Sequence, residues 1–162
     1  MKALYLLPLI LLMSCGNTKK TAENKSKTTL QKKEISFTTI AQSSLYGNGK
    51  EGIEAGLYTI KDQKSWKEFL AKMNKVNDES LKFSTTRIDF DKQMVVAVFD
   101  RVLGAGGVKI NIDKIIETPE KVQVVVTHKR PQGGFATMVM NQPYHIVVLP
   151  KIDKEFEMKP VD

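Results

Sequence analysis

The sequence predicts an α+β domain, mostly antiparallel β-sheet with one main amphipathic helix at about residues 62–76. Two observations carry this expectation. Short apolar runs recur at close spacing, at residues 94–99, 108–112, 122–127 and 144–149. Ahead of them lies a single stretch of helical period, with Trp66, Phe69, Leu70 and Met73 at i, i+3, i+4 and i+7. Strands that arrive this close together, with one helix to one side of them, indicate α+β.

The elements follow in order. Residues 35–40 (Ile-Ser-Phe-Thr-Thr-Ile) alternate roughly and suit a strand. Gly47-Asn48-Gly49 and Gly52 make a glycine-rich loop, and residues 56–60 return to strand character. Ser65-Trp66-Lys67-Glu68 reads as a capping box for the helix, with Asp62 as a competing N-cap three residues earlier. Either start gives a helix ending near Val76, before the polar turn at residues 77–80. Residues 94–99 (Met-Val-Val-Ala-Val-Phe) are apolar throughout, so this strand is expected in the centre with both faces covered. Val108, Ile110 and Ile112 alternate with Lys109, Asn111 and Asp113, giving one dry face and one wet face. Thr118-Pro119-Glu120 marks a turn, and Phe156 with Met158 suggests a last, short edge strand.

Residues 16–34 are of a different kind. They are polar and hold six lysines against two glutamates, an excess of +4. Such a segment buries too little to offset its ordering entropy, so it is expected to be a disordered tether. As a flexible coil it spans roughly 24 Å. Residues 35–162 hold 18 basic and 16 acidic side chains. With the excess on the tether, the composition argues against a nucleic-acid partner, which needs charge on a folded face. Cys15 is the sole cysteine, which excludes a disulfide, a thiol nucleophile and a cysteine-built zinc site in the folded part.

Few residue patterns speak of chemistry. Gly104-Ala105-Gly106-Gly107 lies between two strong strands and suits a tight connection or a close backbone approach. A strand pattern follows it, so no helix N-terminus is there to hold a phosphate. Residues 130–135 (Arg-Pro-Gln-Gly-Gly-Phe) form a second glycine pair. There Phe135, with Met138 and Met140, offers apolar side chains for an adaptable protein-binding loop or for a lid on the core. Pro143 belongs at a strand start or edge, and Tyr144 reads as a core anchor or a rim aromatic. The two histidines, His128 and His145, have no metal-ligand spacing and are read as surface or half-buried residues. No Gly-x-Ser-x-Gly elbow is present. The expectation is a non-enzyme without cofactor or metal.

Ahead of the domain, Lys2 supplies a small positive region and residues 4–13 form an apolar run interrupted by Pro8. The run is shorter than the roughly 20 residues of a membrane-spanning helix and suits a signal peptide. Leu12-Met13-Ser14-Cys15 resembles the lipobox of bacterial lipoproteins. That resemblance implies cleavage before Cys15 and lipidation of its thiol, palmitate included. It also implies a lipid anchor in the bacterial cell envelope, at the outer membrane. The expected organisation is a signal peptide at 1–14, a lipidated Cys15 with its tether at 15–34, and one domain at 35–162.

A second resemblance rests on the order of segments across residues 57–151. Ile60-Lys61-Asp62 opens the helix that carries Trp66, and Ile88-Asp89-Phe90 precedes the strand at 94–99. The double glycine at 106–107, the segment 127–131 and Gln142-Pro143-Tyr144 leading into Ile146-Val147-Val148 complete the series. Together they resemble the C-terminal domain of PrcB, a lipoprotein subunit of a bacterial surface protease complex. The family usually has Thr before its double glycine and an aromatic after it, where this chain has Ala105 and Val108. The resemblance implies a protein-binding accessory subunit whose partner is a cell-envelope protease. Gly106, Gly107, Phe135, Pro143 and Tyr144 are its expected structural or partner-contact residues. Alternatives are a chagasin-like protease inhibitor, which presents glycine-containing loops, or a small-ligand or structural envelope lipoprotein. The inhibitor's Asn-Pro-Thr-Thr-Gly loop is absent here.

Overall fold

In the computed structural model, which describes residues 32–130 and 138–161, the apolar run at 94–99 forms a strand covered on both faces. The described elements are β1 (Lys33–Glu34), β2 (Thr38–Leu45), β3 (Gly56–Ile60), α1 (Gln63–Met73), a 3-10 turn (Glu79–Lys82), β4 (Gln93–Phe99), β5 (Lys109–Glu117), β6 (Lys121–Lys129), β7 (Gln142–Pro150) and β8 (Glu155–Val161). They make two four-stranded sheets, ordered β2-β7-β4-β3 and β1-β5-β6-β8. Every pairing is antiparallel except β6 with β8.

The alternation of side chains along β4 and β7 sets the layering. Val95, Ala97 and Phe99, with Tyr144 and Ile146, face Trp66, Phe69 and Met73 of α1. Met94, Val96 and Val98, with Val147 and Leu149, face Ile110, Ile112, Ile115, Val122, Val124 and Val126 of the other sheet. The first sheet is thus the middle of three layers. Each fully buried Val or Leu contributes about 1.5–3 kcal/mol.

Helix α1 starts at the earlier of its two candidate caps. The Asp62 carboxylate accepts the Ser65 N–H at 2.8 Å and the Ser65 hydroxyl at 2.7 Å. These bonds hold the Asp62 carboxyl below its usual range. The helix buries Trp66, Phe69 and Met73 and ends at Met73, short of the expected Val76. Asn74 stops it: its side chain accepts the Ser80 N–H at 2.9 Å and donates to the Ser80 hydroxyl at 2.8 Å. The expected strand at 35–40 is also divided. Ile35 donates its N–H to the Ile115 carbonyl of β5 at 2.8 Å, while β2 pairs with β7. The segment crosses from one sheet to the other, and no single strand serves both.

Two side chains close the free edge of β5 beyond β1. Gln42 of β2 donates its amide to the Ile110 carbonyl at 2.8 Å. His145 of β7 accepts the Ile112 N–H at 2.9 Å. An exposed strand edge is a template for aggregation, and here the middle sheet caps it.

Candidate functional site

Three connections gather at the end of the domain where β2 and β4 finish and β7 begins. The first, after β2, is a turn folded around its own carboxylate. Glu51 is buried and accepts the Gly47 N–H at 2.8 Å. A Cβ on Gly47 would collide with that carboxylate, so a larger residue here would displace the Glu51 side chain. The second, at residues 100–108, is tied to the third at residues 138–141. Leu103 and Asn141 exchange both backbone hydrogen bonds, at 2.7 and 2.9 Å. The buried Asn141 side chain donates to the Ala105 carbonyl at 2.9 Å and to the Val139 carbonyl at 3.1 Å. Asn141 thereby fixes the loop that carries the double glycine. Gln142 does the same for the first and second connections, donating to the Ile53 and Asp100 carbonyls at 2.9 Å each.

On this rigid base the end exposes apolar side chains. Met138 is 99% exposed, Tyr46 54% and Met140 44%. A Cβ on Gly104 would lie 3.7 Å from the Met140 sulfur, so the methionine covers the glycine loop at van der Waals distance. Tyr46, Gln42, Ser44, Gly107 and Lys109 line a cleft of about 220 Å³ between the edges of the two sheets. Methionine and aromatic side chains over a fixed backbone suit protein contact.

The expected contact residues fall in different places. Gly107 is exposed and sits at φ +85°, a conformation that a residue with Cβ adopts at a cost; its neighbour Gly106 is buried. Pro143 is buried in β7, its carbonyl accepting the Asp100 N–H at 2.9 Å. Tyr144 is fully buried and offers no atom to a partner. Of its two readings, core anchor is the one observed. Its hydroxyl donates to Glu79 Oε1 at 2.7 Å, and Glu79 Oε2 meets Lys82 Nζ at 2.7 Å. Burial, and then the Glu79 carboxylate, pushes the Tyr144 phenol far up. Phe135 and Cys15 lie outside the described residues. Sequence reasoning passed over Tyr46, whose signal was an aromatic placed directly before Gly47-Asn48-Gly49.

The histidines are held by structural contacts. His145 Nδ1 accepts the Ile112 amide, so Nε2 carries the proton and donates to the Thr39 hydroxyl at 2.9 Å. With its lone pair committed, this imidazole is no base toward Thr39. Burial lowers its pKa to about 4. It is 3% exposed, a deeper place than the surface or half-buried reading of the sequence. His128 Nε2 lies 3.3 Å from the Asp100 carboxylate at the end of the sheet interface. Among the described residues no group of three or more His, Cys, Asp or Glu is arranged to hold a metal, and no helix is long and apolar enough to cross a membrane.

No curated protein and no solved structure is similar enough to this chain to count as a match. A family does match, over a stretch that runs from β4 to β7 and includes the double glycine, Pro143 and Tyr144. Residues 94–150 match the family described as PrcB C-terminal.

Proposed function

We propose that this chain is an envelope-anchored lipoprotein that serves as a non-catalytic, protein-binding accessory subunit of a protease complex. The observation that carries the reading is the PrcB C-terminal match over residues 94–150. At family level it associates the domain with a subunit of a protease complex. The matched stretch supplies two of the three connections that build the exposed apolar end. Gly106 and Gly107 shape that end, Pro143 and Tyr144 support it from below, and Tyr46, Met138 and Met140 are its contact surface. Cys15 anchors the chain through its lipid, and residues 16–34 hold the domain off the membrane.

Affinity capture of the full-length lipoprotein from its native envelope, with mass spectrometry of the proteins retained, tests this reading. A peptidase recovered in near-stoichiometric amount is the expected result. Abundant bait with no peptidase would remove the protease-complex reading.

A further inference from the structure

The near-balanced charge of residues 35–162 conceals a segregation that composition does not reveal. Lys109 opens β5 and Lys129 closes β6, and the register sets them directly opposite each other. Cross-strand partners have Cβ atoms about 5 Å apart, and like charges in that position destabilise the sheet. Arg101 and Arg130 are exposed at the same end. Among the described residues none of these four cations is paired with a carboxylate. At the other end of the same sheet, Lys121 pairs with Glu157 and Lys154 with Glu117. Asp100, directly before Arg101 in the chain, is half-buried and engaged by His128 and by the Arg101 N–H at 2.7 Å. Among the described residues the repulsion between Lys109 and Lys129 therefore has no carboxylate to relieve it.

What lies beside the cations decides what kind of partner would relieve it. Met138, Met140 and Tyr46 expose apolar surface at the same end. A nucleic-acid backbone buries no thioether. An apolar patch with a cationic rim fits a protein segment instead. We propose that this end receives an acidic protein segment bearing an apolar side chain. Its carboxylates lie over Lys109 and Lys129, and its apolar group lies against Met138, Met140 and Tyr46. The biological setting rests on the accessory-subunit reading, but the chemistry is decided separately.

The test uses the full-length chain with its methionine methyl groups labelled for NMR. Three probes are titrated: a short synthetic peptide alternating Glu with Leu and Phe, the same peptide with Lys for each Glu, and a single-stranded oligothymidylate of equal charge. The acidic peptide is expected to shift the Met138 and Met140 methyl signals and leave those of the buried Met73 and Met94 in place. Its binding is expected to strengthen as salt is lowered and to weaken roughly tenfold in the Lys109→Glu/Lys129→Glu variant. Both positions are exposed and the variant keeps a like-charge pair, so it folds as the parent does. Lys109→Gln/Lys129→Gln, which removes the repulsion, is expected to weaken binding as well and guards against a folding artefact.

Equal binding of the Lys peptide, equal binding of the oligothymidylate at the same signals, or no shift with the acidic peptide would overturn the proposal. A peptidase captured without any acidic-peptide binding would overturn this inference and leave the accessory reading standing. Acidic-peptide binding that depends on Lys109 and Lys129, with no peptidase captured, would do the reverse.

Discussion

Ile112 and His145, 33 positions apart and in different sheets, are joined by a 2.9 Å hydrogen bond from the backbone N–H to the imidazole Nδ1. The bond exists because β5 has a free edge at that point and β7 faces it across the sheet interface. It holds the ring in its neutral form.

Burial of this ring makes stability depend on pH. The pKa of His145 is lowered from 6.5 to about 4 in the folded state, so below pH 6.5 the unfolded chain binds the extra proton. The stabilisation is fully present above pH 6.5 and is lost as pH falls toward 4, about 2 kcal/mol of it by pH 4.5. Urea unfolding of the parent and of His145→Gln at pH 7 and pH 4.5 checks this. The variant is expected to be less stable at pH 7 and to lose less on acidification.

Tyr144 and Glu79 form the corresponding polar tie on the helix side of the middle sheet. Tyr144→Phe leaves Glu79 Oε1 without its donor in a buried place. The expected loss is about 1–3 kcal/mol in the unfolding free energy. Partner capture per folded molecule is expected to be unchanged, because the hydroxyl is inaccessible. Chemical denaturation and capture at saturating folded protein separate the two.

Gly107 tests the shape of the loop. At φ +85° an alanine costs about 1–2 kcal/mol. Gly107→Ala is therefore expected to lower stability by that amount. Replacing both Gly106 and Gly107 with bulky residues is expected to abolish partner capture in protein that still folds. Circular dichroism alongside capture reads both, and capture retained by the folded double variant would remove the glycines from the binding end.

Cys15 carries the anchoring proposal. Cells fed an alkyne-tagged palmitate are expected to label the parent chain and not Cys15→Ser, with the variant moving from the membrane to the soluble fraction. Labelling that survives the substitution would show that another residue holds the lipid.

Much of the fold was legible because a few residues state their surroundings directly. The unbroken apolar run of β4 announces two covered faces, and Trp66, Phe69 and Met73 mark the buried side of α1. Asp62 and Ser65 both carried a cap signal, and only the bond from the Ser65 N–H to the carboxylate decides between them. The early end of α1 depends on the Asn74–Ser80 bonds, which link residues across a turn that periodicity does not see.

The exposed end was less legible, and the reason is a bulge. From the turn at residues 118–120 the β5–β6 register runs evenly to Lys114 and Val125, then slips by one residue between Ile112 and Lys114. That slip sets Lys109 opposite Lys129. Without it a sequence-drawn hairpin pairs Lys109 with Arg130, and net composition hides the cluster in either case. Tyr144 was open between core and rim because the Glu79 carboxylate that takes its hydroxyl comes from a distant turn.

The proposed role places a partner protease at this end of the domain. Its most direct measurement compares capture from the native envelope by the full-length parent and by a Tyr46→Ser/Met138→Ser/Met140→Ser variant of matched thermal stability. A near-stoichiometric peptidase is expected with the parent, and at least a tenfold loss with the variant. Equal recovery of the peptidase by both chains, or none by either, would contradict it.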